Sequence, residues 1–427
     1  MAIDLSADIV LRWEDQDPSL VPILREGAID VVLVGAPAAA FQAACRAAGI
    51  RVEPLAALKI SDLSGVRAAG SAPAAFAHGL WPGVTSESAK EDEETASPSY
   101  MPWLDANGYR LHWLKTLCPD RPPALAYSPD KDAGLRPDRL VPYDTLELAL
   151  AEAWMNGGNY VLAVEPRYRK ALVSREPKAL AAWRRLGRTA RWLKQNKSLF
   201  TLPALPRITL LVDAGDATAE IANMMMRQNA SPAFAAADSP PPPDPANRQV
   251  IVAAGLAPAP APAIRDRILS HAEAGATVVT DRIGAPPWWR VPQLHLERDE
   301  PDREAYRLGR GTVVAYKQAI GDPSDFALDV IDLLTQPRRA VRVWNTSTVI
   351  ATLGNAHESG RGRSVLRIVN YGSPHEWEVM FYVQGGYTSA VLLRPEAPQK
   401  QLQVARRSNL TEVNLQDLRR AAVVLLE

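Results

Sequence analysis

The sequence is poor in the residues that hold metal ions and disulfides. It has two cysteines, Cys45 and Cys118, and six scattered histidines among 427 residues. Two cysteines cannot make a disulfide framework, and Cys45 stands in a predicted buried helix. No histidine stands at metal-ligand spacing from another histidine or from a cysteine, and the motifs G-x-S-x-G, Walker A and H-E-x-x-H are absent. We therefore expect no metal ion and no other cofactor.

An excess of one charge and long apolar runs are also lacking. Lys plus Arg number 48 and Asp plus Glu number 48, so no global field attracts nucleic acid or an anionic membrane. No run approaches the roughly 18 to 20 apolar residues that cross a bilayer. The N-terminus has neither the basic nor the apolar region of a signal peptide. We expect neither nucleic-acid nor membrane partners. The sequence as written predicts a cytoplasmic protein, although a secreted or periplasmic protein trimmed of its leader would look the same.

The chain has three parts that differ in sequence pattern. Its 427 residues are more than one hydrophobic core usually holds, so two or three domains are expected. Residues 1–203 alternate short apolar runs with helical stretches, which predicts parallel strands joined by helices. The six candidate strands are Ile9–Trp13, Asp30–Val34, Arg51–Leu55, Phe76–Trp81, Ala124–Tyr127 and Tyr160–Val164. This pattern predicts a TIM-like β/α barrel, which is reduced unless two further strands are present.

The other two parts have simpler patterns. Residues 204–337 begin with the strand Arg207–Val212 and alternate again, which predicts a flavodoxin-like α/β domain. This part resembles class I glutamine-amidotransferase folds, but it contains no cysteine to act as nucleophile. We expect it to serve packing or homo-oligomerisation. Residues 338–427 carry short strands and no helix signal, which predicts an antiparallel β-sandwich.

The stretch 145–166 is the most informative for function. A helical pattern containing Trp154 leads to Gly157-Gly158-Asn159, and the strand Tyr160–Val164 then ends at Glu165. Side chains at the carboxyl ends of barrel strands reach the active-site face. Pro166 stops the strand because proline has no N–H to donate. Glu165 is therefore a candidate catalytic carboxylate, and the alternative is a solvated loop carboxylate.

Other carboxylates and aromatic residues stand near predicted strand ends. Glycoside hydrolysis needs two carboxylates, one as acid and one as nucleophile or base. Glu165 is the candidate nucleophile or base, and Glu14 or Asp105 is the candidate acid. A sugar also needs flat apolar surfaces and amides around it. The candidate substrate-binding residues are Trp13, Trp81, Trp103, Asn107, Tyr127, Trp154 and Asn159. Alternatively, Asp105 caps a helix and Trp81 belongs to the core.

The order of the three parts is similar to that of the glycoside hydrolase family 42 β-galactosidases. Residues 306–334 look like the closing part of the second domain of that family, and residues 157–166, GGNYVLAVEP, resemble an element of α-L-fucosidase-like hydrolases. The resemblance implies a catalytic first part, a second part that builds an oligomer and a small β domain. The family places its acid in an Asn-Glu pair after the fourth strand. Here Leu80-Trp81-Pro82-Gly83 follows instead, so that role is not carried over.

Together these patterns predict a glycoside-hydrolase-like protein with a carbohydrate as its substrate or ligand. The alternative is a catalytically inactive carbohydrate-binding or assembly protein on the same scaffold.

Overall fold

The computed structural model describes most of the chain. The described residues are 3–58, 107–126, 142–205, 207–244, 249–282, 284, 286–333, 339–355, 363–372 and 378–427, together with the backbone of 75–78.

The first part contains a sheet of parallel strands. The strands are β1 (Val10–Arg12), β2 (Val31–Val34), β3 (Arg51–Pro54), β4 (Ala75–His78), β5 (Pro123–Ala126) and β6 (Asn159–Ala163). Their order is β3-β2-β1-β6-β5-β4, and every pairing is parallel. A strand is present at each of the six predicted places, and residues 79–81 of the predicted fourth strand lie outside the described residues. Strand neighbours follow chain order around a ring, as in a β/α barrel, but β3 and β4 are not paired in the described residues. Closure of a barrel stays a prediction.

Helices connect and cover these strands. They are α1 (Val21–Glu26), α2 (Ala39–Ala47), α3 (Gly108–Leu117), α4 (Thr145–Met155), α5 (Pro166–Val173), α6 (Pro177–Gln195) and α7 (Lys197–Phe200), with 3₁₀ turns at Pro18–Leu20 and Leu55–Ala57. The first of these turns begins after Asp17, whose side chain accepts a hydrogen bond from the backbone N–H of Ser19. Helix α6 packs on α1 through the buried ring of Trp183, whose Nε1 donates to the Ile23 carbonyl at 2.7 Å.

The second part has one mixed sheet. Its elements are β7 (Ile208–Val212), α8 (Asp216–Arg227), β8 (Ala233–Ala236), β9 (Val250–Ala253), α9 (Pro262–Ala274), β10 (Thr277–Thr280), β11 (His295–Asp299), β12 (Arg303–Leu308), β13 (Gly311–Tyr316) and α10 (Pro323–Asp332). The sheet order is β11-β12-β13-β10-β9-β7-β8. From its other end, the parallel portion runs β8-β7-β9-β10-β13. Numbered along the chain within this portion, that is the predicted 2-1-3-4-5 order of flavodoxin-like sheets. The antiparallel hairpin β11–β12 extends its edge.

The third part consists of two antiparallel sheets. Its strands are β14 (Val341–Trp344), β15 (Val349–Asn355), β16 (Ser364–Asn370), β17 (Val379–Gln384), β18 (Ala390–Leu393), β19 (Lys400–Leu402), β20 (Val404–Arg407), β21 (Leu410–Leu415) and β22 (Ala421–Leu426). The sheet orders are β14-β17-β21-β20 and β15-β16-β22-β18-β19. Buried side chains of both sheets, such as Phe381 and Leu366, share one core. This arrangement is the predicted β-sandwich.

The three parts pack together. The largest core cluster joins residues of the first part to Met225 of α8 and to Val365 and Tyr371 of the third part. An isolated bridge between Ala204 and Gly354 ties the connecting segment to the sandwich. None of the described helices is long and apolar enough to cross a membrane.

Candidate functional site

Two of the predicted carboxylates stand at neighbouring strand ends. Strands β1 and β6 are parallel, with Arg12 opposite Ala163. Glu14 stands two residues after Arg12, and Glu165 stands two residues after Ala163. Both segments therefore leave the sheet at the same edge. We call this edge the carboxyl-end edge. It is where active-site side chains emerge in β/α barrels, and the sequence predicted both residues there.

Glu165 has a local structural role at this edge. It is the N-cap of α5, and its Oε2 accepts a hydrogen bond of 3.0 Å from the backbone N–H of Tyr168. Pro166 occupies the first helical position, where its missing N–H costs nothing. The carboxylate satisfies one of the unpaired N–H groups of the helix and lies at the positive end of the helix dipole. Any catalytic role of Glu165 has to coexist with this bond.

Glu14 also has a partner. Its side chain is 68% exposed and forms an ion pair with Arg169 of α5. The same guanidinium lies 3.4 Å from Oδ2 of Asp15, measured from Nε. Arg169 therefore neutralises much of the negative charge that β1 brings to the carboxyl-end edge, in water-exposed surroundings where such pairs contribute little to stability.

Two of the predicted sugar platforms are core residues. Trp13 is 2% exposed and Trp154 is 4% exposed, and both belong to the largest core cluster. The indole of Trp154 donates from Nε1 to Oδ1 of Asn159 at 3.0 Å. A sugar needs an exposed ring face, and protein covers both rings in this structure. Binding of a sugar by Trp13 or Trp154 stays a prediction that requires one of these rings to become uncovered.

The predicted amides are also buried and bonded to protein. Asn159 begins β6, at the opposite edge of the sheet from Glu165, and its Nδ2 donates to the carbonyls of Leu5 and Asp8, each at 2.8 Å. Asn107 precedes α3 and is 1% exposed. Both amides are hydrogen-bonded to protein in this structure, and their contact with a ligand stays a prediction. The remaining predicted site residues, Trp81, Trp103, Asp105 and Tyr127, lie outside the described residues.

The sequence interpretation passed over Glu152, which has a perturbed environment. Its carboxylate is fully buried and accepts hydrogen bonds from the backbone N–H of Gly108 at 3.0 Å, from Asn107 and from the Tyr371 hydroxyl at 2.7 Å. Burial raises the pKa of Glu152 to about 7, although these hydrogen bonds oppose the shift. A signal was present in the sequence, because Glu147 and Glu152 stand in a helix whose other residues are almost all apolar, and a helix that is apolar on all sides is buried.

A cavity of about 870 Å³ lies where the three parts meet. The first part contributes α3 and the turn after α4, the second contributes β8 and the third contributes Arg367 of β16. We call it the junction cavity. Its walls include the segments that lead into β5 and β6, so it lies away from the carboxyl-end edge. The polar side chains that line it are His112, Lys115, Thr116, Asn156, Thr201, Asp238, Ser239 and Arg367.

Burial shifts the pKa of two basic side chains in the lining, His112 and Arg367. Burial and the charge of Arg367 lower the pKa of His112 to about 4, so the imidazole is neutral at pH 7. Its Nε2 lies 3.0 Å from Oδ1 of Asn156, and its ring stacks on Phe234 at a centroid distance of 5.3 Å. Burial also lowers the pKa of Arg367 to about 10.

The described residues contain no group of three or more His, Cys, Asp or Glu side chains placed to hold a metal ion. That finding covers only the described ranges.

No protein-family model matches the sequence, and no curated protein matches it. Solved structures do resemble the fold. An α-L-fucosidase, isoenzyme 2 from Paenibacillus thiaminolyticus, matches with a TM-score of 0.57 and 10% identity over 99% of each chain. The β-galactosidase from Bacillus circulans sp. alkalophilus matches with a TM-score of 0.52 and 11% identity over 75% of this chain and 58% of its own.

A rhamnosidase from Novosphingobium sp. PP1Y matches with a TM-score of 0.50 and 11% identity, over 91% of this chain and 38% of its own. The chain thus spans less than two thirds of the β-galactosidase and of the rhamnosidase. At these identities the likeness concerns the fold alone. The protein has a glycosidase-like multidomain fold, and the neighbours do not single out family 42.

Proposed function

We propose that this protein is glycoside-hydrolase-like and acts on a glycan at the carboxyl-end edge of the first sheet. The observation that carries the proposal is the placement of Glu14 and Glu165 at the ends of adjacent parallel strands. Two carboxylates across a sugar are what glycoside hydrolysis requires. The full-length likeness to a fucosidase supports the same class of substrate.

In this proposal Glu165 acts as nucleophile or base, and Glu14 or Asp105 acts as acid. The ion pair between Glu14 and Arg169 has to open before Glu14 can face a substrate as the acid, because the guanidinium occupies its carboxylate. Substrate hydroxyl groups entering this edge would compete for Arg169. The separation of the two carboxyl groups in a substrate complex would then distinguish a retaining from an inverting reaction.

The test is a hydrolysis screen of the purified chain against aryl glycosides and natural oligosaccharides, with products read by mass spectrometry. We expect turnover that falls by a factor of about 10² to 10⁴ in Glu165→Gln, the range for loss of a positioned acid or base. Glu220→Gln, an exposed carboxylate in α8, is the matched control and should keep full activity. Full activity in Glu165→Gln would remove the catalytic assignment of that residue.

A second candidate is carbohydrate binding or assembly without hydrolysis. It is favoured by the observation that Glu165 and Glu14 already have protein partners at the edge, the Tyr168 N–H and Arg169. This candidate predicts glycan binding in titration calorimetry with no product in the screen. An assembly role through the second part predicts a homo-oligomer in light scattering.

A further inference from the structure

We propose that the junction cavity binds a small organic monocarboxylate through the guanidinium of Arg367. This site is separate from the carboxyl-end edge, so it stands apart from the proposed action on glycans. Four observations support it. They are the burial of Arg367 without a counter-ion, the edge of its guanidinium that has no hydrogen-bond partner, the volume of the cavity and the net charge of its lining.

Arg367 is a buried cation without a counter-ion among the described residues. It lies in the middle of β16, paired with Thr352 and Val423 on the neighbouring strands, and is 3% exposed. Its Nη1 donates to the Phe200 carbonyl at 2.8 Å. Its Nε and Nη2 are buried, and neither has a hydrogen-bond partner in the described part of the chain. A buried charge in this condition is costly, and an anion that pairs with it recovers much of that cost.

The two unpartnered nitrogen atoms define the shape of the missing partner. Nε and Nη2 lie on one edge of the planar guanidinium, and their N–H bonds point the same way. A planar carboxylate fits this edge with two parallel hydrogen bonds. Nη1, which points elsewhere, is the atom already used by Phe200.

The cavity is far too large for a bare anion. Its volume of about 870 Å³ falls in the range of sites for organic ligands. The stacked rings of His112 and Phe234 form part of its wall and offer apolar surface to the body of a ligand. Asn156 and Ser239 add amide and hydroxyl groups to the lining. The anionic group would therefore belong to a larger molecule.

The charges of the lining favour a ligand with one negative charge. Among the described lining residues, Arg367 and Lys115 are cationic and Asp238 is acidic, which leaves a net charge of about +1. Lys115 and Asp238 are exposed, whereas Arg367 is buried. His112 adds no charge at neutral pH. A phosphate dianion would exceed the single buried cation, while a monocarboxylate balances it.

The experiment titrates the full chain with D-glucuronate and benzoate, and with D-glucose and inorganic phosphate for comparison. We expect at least one carboxylate to bind, with no binding of glucose and weaker binding of phosphate. Arg367→Met should weaken carboxylate binding at least tenfold. Arg363→Met, an exposed arginine that pairs with Glu427, and Glu165→Gln should leave it unchanged. Absence of binding by both carboxylates, or equal binding by wild type and Arg367→Met, overturns the proposal.

A second variant guards against a folding defect. Ala236→Phe reduces the cavity from β8 and keeps Arg367 in place. It should abolish carboxylate binding while far-ultraviolet circular dichroism stays unchanged. Unchanged affinity in Ala236→Phe would place the carboxylate elsewhere, and phosphate binding as tight as that of the carboxylates would reject the ligand class.

Discussion

The hydroxyl of Tyr371 donates a 2.7 Å hydrogen bond to Oε1 of Glu152. Tyr371 follows β16 of the sandwich, and Glu152 lies in α4 of the first part. The same carboxylate oxygen accepts the backbone N–H of Gly108 at 3.0 Å, at the start of α3. One buried carboxylate thus joins two helices of the first part to the third part.

The first prediction concerns Tyr371→Phe. It removes one donor to a buried carboxylate, and hydrogen bonds to charged groups contribute about 1.5 to 3 kcal/mol. We expect the free energy of unfolding at pH 8 to fall by about that amount, measured by urea denaturation. Tyr387→Phe is the matched control, because that hydroxyl bonds a neutral Ser364 within the sandwich. It should cost about 1 kcal/mol, and equal losses would contradict the role assigned to Glu152.

The second prediction concerns pH. Burial raises the pKa of Glu152 to about 7, above its value of about 4.5 in the unfolded chain. Between these values the folded state binds more protons than the unfolded state, so stability falls as pH rises from about 4.5 through 7 and is flat above. The total is on the order of 3 kcal/mol. Glu152→Gln should remove this slope, measured by urea denaturation from pH 5 to 8.

Glu220→Gln is the control for the pH series. This carboxylate is exposed on α8, so its removal should leave the slope as in the wild type. Other buried groups titrate equally in every variant and cancel in the differences. A slope that persists in Glu152→Gln would assign the pH dependence to another group.

The third prediction concerns the contact between α6 and α1. A Cβ atom added at Gly187 would lie 1.8 Å from the carbonyl oxygen of Glu26, so one helix has to move. Gly187→Ala should lower the free energy of unfolding by about 3 kcal/mol or more, although alanine favours helix. Gly321→Ala has no heavy atom within 4 Å of the new Cβ and should change stability little. Thermal unfolding of both variants provides the comparison, and equal melting temperatures would refute the close contact.

The fourth prediction concerns the cap of α5. Glu165→Ala removes the acceptor for the Tyr168 N–H and should cost about 0.5 to 2 kcal/mol, as at other N-caps. Glu165→Gln keeps an acceptor oxygen and should cost less. Glu176→Ala is the control, because Glu176 is the N-cap of α6 but its side chain makes no capping bond. A stable Glu165→Gln protein means that any lost turnover reports chemistry and not unfolding.

Local signals in the sequence predicted most of the first sheet. Strands such as β2 and β6 are short apolar runs that are buried throughout, and buried parallel strands need no other pattern. Strand β3 is the exception, because it carries Arg51 and Glu53 and is only partly buried. Asp17 and Asp322 each precede a proline, which is a local signal for the start of a helix. Each side chain accepts a hydrogen bond from the backbone N–H two residues further on. The hairpin β11–β12 was missed because β11, His295–Asp299, is exposed along its length and shows no apolar alternation.

The site was less predictable than the fold. The sequence places Glu14 and Glu165 at strand ends because the position of an edge follows from the strands themselves. It could not tell that Trp13 and Trp154 are covered, since an indole beside a strand serves a core or a ligand equally well. It also could not pair Glu152 with Tyr371, which stands 219 residues further along the chain.

The sequence by itself determined the six strands of the first sheet and the positions of Glu14 and Glu165 at its carboxyl-end edge, because these depend on local periodicity and capping. Only the tertiary structure decided which polar groups are buried and which groups they form hydrogen bonds with. The isolation of Arg367 depends on the meeting of three parts of the chain, each of which appears ordinary when its sequence is considered alone.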